Sequence, residues 1–262
     1  FKVQNKTNNK LQISKFNKYL ITFISLLFFY LFYLSLPVFY DKNWVQNNVE
    51  SQMLKDFGIN FSTSSNISYR ILPKPHFLIK DSKIFRKKKD KSVSLADIKD
   101  LRIFISQKNL FNNEKMTIKR LKIENANFLI KRDDFRLLKK NKNYQFFEKN
   151  IEIRKSNIFF SDDSGEVITI IKILEAFLFH DVKNILNLFN LKGEVFNIPF
   201  NLNYNKKFDS LNTEEIEIIA KTLKLNIFNI TNKETDKINA GTNTISFLNS
   251  KFNTNYKVKD DV

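Results

Sequence analysis

Apolar positions change their spacing twice along this chain. Between Tyr19 and Tyr40 they are nearly continuous, and no charged side chain interrupts them. A helix rises about 1.5 Å per residue, so about 20 such residues cross a hydrocarbon core of about 30 Å. A transmembrane helix over 19–40 is therefore predicted. Tyr19, Tyr40 and Trp44 stand where aromatic rings anchor at the two interfaces, and Pro37 falls near the far end, where a kink costs little. The alternative is a cleaved signal peptide, with a shorter apolar stretch of about 7–15 residues and a small-residue cleavage site. Leu36, Pro37, Val38, Phe39 and Tyr40 are too bulky for such a site. Next, Trp44, Val45, Val49, Met53 and Phe57 recur at spacing three to four and Gly58 supplies a stop, which reads as a short amphipathic helix over 43–57. Its apolar stripe either lies on lipid headgroups or plugs the near end of the domain beyond Gly58. The lack of a dense Lys/Arg face favours the plug.

Past Gly58 the period becomes two. Phe196, Ile198, Phe200, Leu202 and Tyr204 alternate with Asn and Pro, the pattern of a strand with one dry and one wet face. Leu101, Ile103 and Ile105 alternate likewise, as do Leu223, Leu225 and Ile227. Turn chemistry separates such segments at Ser161–Gly165, Asn112-Asn113 and Ala240-Gly241-Thr242. Helical interruptions are expected around Asp134–Lys140 and Val182–Phe189. The coarse picture over 59–262 is mainly β: a long, mostly antiparallel sheet with minor helices, hung from one membrane helix.

A nine-residue pattern recurs at Phe77–Phe85, Leu121–Leu129 and Ile151–Phe159. In each copy the first and third positions are apolar, the sixth is small (Ser82, Ala126, Ser156) and the eighth is apolar again. Odd positions face inward first and even positions afterwards, so one residue has to be absorbed between them. A β-bulge, which bends and twists a strand, does that.

Composition narrows the chemistry. The chain of 262 residues has no cysteine, two histidines (His76 and His180) and four glycines far apart, which excludes disulfides, thiolate sites and a glycine-rich phosphate cradle. The pairs Asp133-Asp134, Asp162-Asp163 and Asp260-Asp261 are sequence neighbours, which point apart on a strand or sit in turns. There is no Gly-x-Ser-x-Gly and no His-Glu-x-x-His. The expectation is no catalytic residue, no metal, no cofactor and no enzyme. The formal charge of +17 is spread along the chain; the one dense cluster, Arg86–Lys89, is followed by Asp90 and Lys91 and reads as a solvated hairpin tip rather than a nucleic-acid site. The abundance of Lys, Asn, Ile and Phe is the bias of an AT-rich coding sequence and accounts for part of the basicity. Residues 1–18 form a basic tail with Lys2, Lys6, Lys10, Lys15 and Lys18 and no acid, so the positive-inside rule leaves it in the cytoplasm and everything after Asp41 outside.

The order of these parts resembles the AsmA family. The resemblance is carried by the membrane helix, the helix ending near Gly58, and Asn66–Ile84, where a strand runs into the Pro73-Lys74-Pro75 turn and a second strand comes after it. Ser94–Leu110 and the repeat at Leu121 resemble the next elements, and Asn190–Phe200 is similar to later strands. The likeness covers roughly 19–204. His76 stands where the family usually has glycine, and the chain is short for the family, starting at Phe1 and stopping in mid-pattern at Val262, as a fragment does. What the resemblance implies is a single-pass bacterial inner-membrane protein whose periplasmic part is an elongated, curved, groove-like sheet supporting outer-membrane biogenesis. The implied ligands are phospholipid acyl chains, with Phe196, Ile198, Phe200, Leu202 and Tyr204 as the candidate lipid track; the same side chains would serve a closed β core. The alternative function is a periplasmic adaptor that docks a partner protein by its sheet edge.

Overall fold

The computed structural model describes residues 15–57, 60–88, 91–108, 110–112, 114, 116–132, 145–162, 164–209, 211–235 and 238–259. Helix α1 (Lys15–Ser35) runs into a 3-10 turn over Leu36–Phe39, because Pro37 has no N–H to give the Tyr33 carbonyl. Lys15–Phe39 is long and apolar enough to cross a membrane. Helix α2 (Lys42–Phe57) begins on Asp41, whose Oδ1 accepts the Trp44 N–H at 2.8 Å, a cap worth about 1 kcal/mol. Val45, Val49 and Met53 are buried in the main core, so the stripe of α2 lies on the sheet and closes its first strands. Glu50 fixes the helix there by accepting from the N–H and hydroxyl of Thr63 at 2.8 and 2.9 Å.

Thirteen strands among the described residues form one long, open, curved sheet. They are β1 (Asn60–Ser62), β2 (Ile67–Arg70), β3 (His76–Lys88), β4 (Lys91–Ile105), β5 (Ile118–Lys131), β6 (Asn150–Ser161), β7 (Val167–Asp181), β8 (Leu186–Val195), β9 (Ile198–Lys207), β10 (Glu214–Ala220), β11 (Leu225–Thr235), β12 (Ile238–Phe247) and β13 (Ser250–Lys259). From β3 onward, order in space follows order in sequence; β1 and β2 share one edge, each paired with part of β3.

The sheet departs from the expected pattern at several points. Its pairing is mostly antiparallel, as expected, with one exception: β5 and β6 run parallel, and the chain between them, residues 132–149, supplies the long return that a parallel pair needs. Val182–Phe189 is not a helix. Asp181 Oδ1 accepts the N–H groups of Lys183 and Asn184 at 3.0 and 3.2 Å, closing a tight turn, and β8 starts at Leu186. Gly241 lies inside β12 rather than in a turn, since Tyr256 crosses directly over it and would strike any Cβ. Leu223 sits in a 3-10 turn, one residue before the αL position Lys224, and alternation resumes only at Leu225. The Asp134–Lys140 helix lies outside the described residues. β3 and β4 pair antiparallel as far as Lys88 opposite Lys91, and the tip expected at Arg86–Lys89 lies partly outside the described residues.

The three repeat copies sit on β3, β5 and β6, and each does change face in mid-strand. The residue that absorbs the change is the fifth of each copy: Asp81, Asn125 and Lys155 have φ of 54°, 55° and 48°. Ladder pairing skips this level on both partners: Lys80 faces Asp100 and Ser82 faces Ile98, while Arg154 faces Glu175 and Ser156 faces Ile173. The result is a crease across β3 to β7. It ends between β7 and β8, where Ile173 and Glu175 pair with the adjacent residues Gly193 and Lys192 and Leu174 is the extra residue. The small sixth positions are buried, and Ser156 Oγ accepts the Ala126 N–H at 3.0 Å, partnering a donor that the crease takes out of the ladder. Copies two and three pair position for position, Leu121 with Ile151, Ile123 with Ile153 and Phe128 with Ile158, as an in-register parallel pair requires.

Candidate functional site

Register turns the separate alternations into one continuous feature. Cross-strand partners run Ile67, Ile79, Leu101, Ile123, Ile153, Ala176, Leu191, Leu202, Ile218, Ile227, Ile245 and Phe252, one residue from each strand β2 to β13, and every one is apolar. At about 4.8 Å per strand the row extends for about 50 Å. Its cover changes along the way. Ile79 and Leu101 are fully buried in the cluster that includes Val45, Val49 and Met53 of α2. A smaller cluster of Ile173, Ala176 and Leu191 draws in Phe189, Phe200 and Leu202. Leu202, Ile218 and Ile227 are half-buried, Ile245 is 39% exposed and Phe252 62%. Among the described residues no second layer of helix or sheet lies over β10 to β13.

Side chains beside the row give its last strands an amphipathic face. On one side lie Asn229, Asn243 and Thr254, with Asn229 Nδ2 donating to Asn243 Oδ1 at 2.5 Å and to the Tyr256 hydroxyl at 2.7 Å. On the other side lie Leu225 and Phe247. The opposite face of the sheet is charged. Lys80, Asp100, Glu124, Arg154, Glu175 and Lys192 pair in succession, with Arg154 Nη2 bonded to Glu175 Oε1 at 2.5 Å. Arg102 and Lys122 each reach Glu124 at 2.9 Å, and buried Glu152 is held by Arg120 and Arg154. A shallow depression on this face at β11–β13, about 480 Å³, is lined by Ile230, Asn232, Ala240, Thr242, Asn255 and Lys257 and gathers no set of titratable groups.

Of the sequence-predicted track, Ile198, Phe200, Leu202 and Tyr204 share the apolar face, opposite Val195, Gly193, Leu191 and Phe189. Phe196 does not. With Asn197 it forms the two-residue turn between β8 and β9, both at positive φ, and its ring stands in solvent. Tyr204 lies against the Phe146 ring, and burial pushes its phenol well above the usual tyrosine range. Phe146 belongs to the return between β5 and β6, which is latched to the sheet by Asn187: its Oδ1 accepts the Phe146 N–H at 2.9 Å and His180 Nδ1–H at 2.8 Å. Pro73 and Pro75 shape the turn into β3, where the Pro75 carbonyl accepts the Ile105 N–H. Asp162 is a turn residue, its Oδ1 taking the Ser164 hydroxyl and the N–H groups of Gly165 and Glu166, bonds that lower its pKa. The other five aspartates of the adjacent pairs lie outside the described residues. Among the described residues no three His, Cys, Asp or Glu side chains come together as metal ligands would.

Sequence reading misses most of the row. Ile216 and Ile218 alternate with glutamates and Ile245 with Thr244 and Ser246, which marks each strand as two-faced. Nothing local says that these positions share one register. Compared with known proteins, the chain matches no protein-family model and no curated protein.

Proposed function

We propose that this chain is an AsmA-like, single-pass protein of the bacterial inner membrane whose periplasmic sheet carries or shields lipid acyl chains, in support of outer-membrane biogenesis. The lysines before Tyr19 orient it with its tail in the cytoplasm. The observation that carries the reading is the unbroken apolar row. A sheet that needed only a core would have no use for apolar side chains at β12 and β13, where nothing described covers them. An acyl chain lying along the row would bury methylenes at about 0.8 kcal/mol each, and the Asn/Thr lane beside it would meet the wetter end of the lipid. The open edge favours a second reading: β13 has one strand neighbour among the described residues, so its outer backbone groups suit a partner strand and an adaptor role.

Leu202→Asp with Ile218→Asp tests the first reading. Phospholipid retained after gentle detergent extraction, counted by native mass spectrometry, should fall to background while the β spectrum is kept. An open face lets water reach the new carboxylates, whereas a closed core would leave them unpaired at a cost of several kcal/mol. Asn201→Asp, on the charged face, should change neither property. Full lipid retention in the folded double variant would refute lipid carriage on this row.

A further inference from the structure

We propose that the sheet has a second membrane contact besides α1: the turn at Leu72–Pro75 and the residues Gln107, Lys108, Leu110 and Phe111 after β4 insert into the headgroup boundary of the bilayer that α1 crosses. The proposal rests on α1 spanning a membrane. It is independent of whether the sheet carries lipid or docks a protein.

The depth follows from where the residues after β4 are tied. The uncharged run starts at Tyr19, and about 20 helical residues are needed to cross, so the outer boundary falls near Val38 and Phe39. Tyr33 is then inside that boundary by roughly 8 Å. Its hydroxyl donates to the Gln107 carbonyl at 2.8 Å and accepts the Leu110 N–H at 3.3 Å, and its ring lies 5.2 Å from that of Phe111. Tyr69 at the end of β2 donates its hydroxyl to the Leu34 carbonyl at 2.6 Å, which brings the neighbouring turn to the same level. Both connections are therefore drawn down beside the helix, to the depth of about 5–10 Å at which interfacial segments lie.

Their chemistry suits that place. Leu72 and Phe111 are 77% and 79% exposed, as is Phe39 at 78%, so three large apolar side chains point outward around the helix exit. Backbone polar groups entering a bilayer must be satisfied internally. Tyrosines serve three such groups after β4: Tyr33 partners the Gln107 carbonyl and the Leu110 N–H, and Tyr40 donates to the Leu110 carbonyl at 2.6 Å. Exposed Arg70, Lys74 and Lys108 flank the apolar tips, with Asp41 and Glu114 as the nearby acids, an arrangement that meets anionic headgroups with net positive charge. The opposite strand ends differ at the matching strands: the β3–β4 connection is lysine-rich and the β6–β7 connection is acidic.

The chain has no cysteine, so single-cysteine variants can each carry one environment-sensitive NBD dye. The full chain is reconstituted into phosphatidylcholine–phosphatidylglycerol vesicles with a nitroxide either near the headgroup or deep in the acyl chain, with circular dichroism to check folding. Phe111→Cys and Leu72→Cys should show blue-shifted emission, quenched about twofold or more by the shallow nitroxide and less by the deep one, as for an interfacial segment. Phe28→Cys, outward-facing in the middle of α1, reports the span and should respond to the deep nitroxide. Phe196→Cys, equally exposed but at the opposite strand ends, should respond to neither. Quenching at Phe28→Cys without quenching at Phe111→Cys and Leu72→Cys would overturn the contact. No quenching at any position would overturn it together with the membrane span on which it rests.

Discussion

At the entry to β3, His76 gives its Nδ1 proton to the Lys74 carbonyl at 2.7 Å and lays its ring 5.1 Å from that of Phe104. Burial, chiefly, and the charges of Arg102 and Arg70 hold its pKa below the usual histidine range, against the pull of that hydrogen bond. The folded state therefore keeps the imidazole neutral where the unfolded chain, titrating near 6.5, takes up a proton. Stability from this site is complete above about pH 6.5 and is lost as the pH falls from there toward the lower folded value. His76→Gln should flatten that limb, so that the drop in Tm between neutral and mildly acidic buffer is smaller than in the parent. Equal drops would show that His76 does not titrate as a buried neutral base. This role is not legible in the sequence, where His76 stands only as a departure from glycine after a Pro-x-Pro turn; its burial depends on Phe104, far along the chain.

The strands carry a feature that sequence pattern does announce. A change of face between the third and sixth positions of the repeat requires one absorbed residue, and the structure supplies it at Asp81, Asn125 and Lys155. Aspartate and asparagine tolerate the left-handed region, but lysine there costs about 1 kcal/mol or more. Lys155→Val separates a creased strand from a regular one. In a regular strand valine is a favourable choice; at positive φ its branched Cβ should lower stability by about 1 kcal/mol or more. Lys155→Gly should be neutral or stabilising by a few tenths, because relief of the left-handed strain outweighs the entropy of glycine. Urea unfolding of the two variants checks both, and a stabilising valine would contradict the crease. What the pattern does not reveal is pairing. Repeats on β5 and β6 look alike whether they lie parallel or antiparallel, and only the long return between them permits the parallel choice. Val182–Phe189 misleads for a related reason: dense apolar residues suggest a helix, while Asp181 has already closed a turn on Lys183 and Asn184.

For the whole molecule, the organising feature is a row that starts beneath α2 beside the long apolar helix α1 and emerges at β13, where no described residue forms a layer over it. Alternation within one strand is readable from sequence, and the structure does place Ile198, Phe200, Leu202 and Tyr204 on one face of β9. Alignment of such strands into one row depends on turn lengths and on the crease. Phe196 shows the limit, since the alternation runs straight through a residue that the two-residue turn removes from the strand. Two neighbouring register rows provide a matched comparison: Leu202, Ile218, Ile227 and Ile245 on the apolar face, and Asn203, Glu217, Phe228 and Thr244 on the other. A benzophenone amino acid placed at each of these positions in turn, in the full chain in living cells, reports which face meets lipid. Crosslinks to phosphate-labelled lipid at all four apolar positions and at none of the opposite four are the predicted result. Equal labelling of both rows, or labelling of neither in chains that fold, would contradict the account.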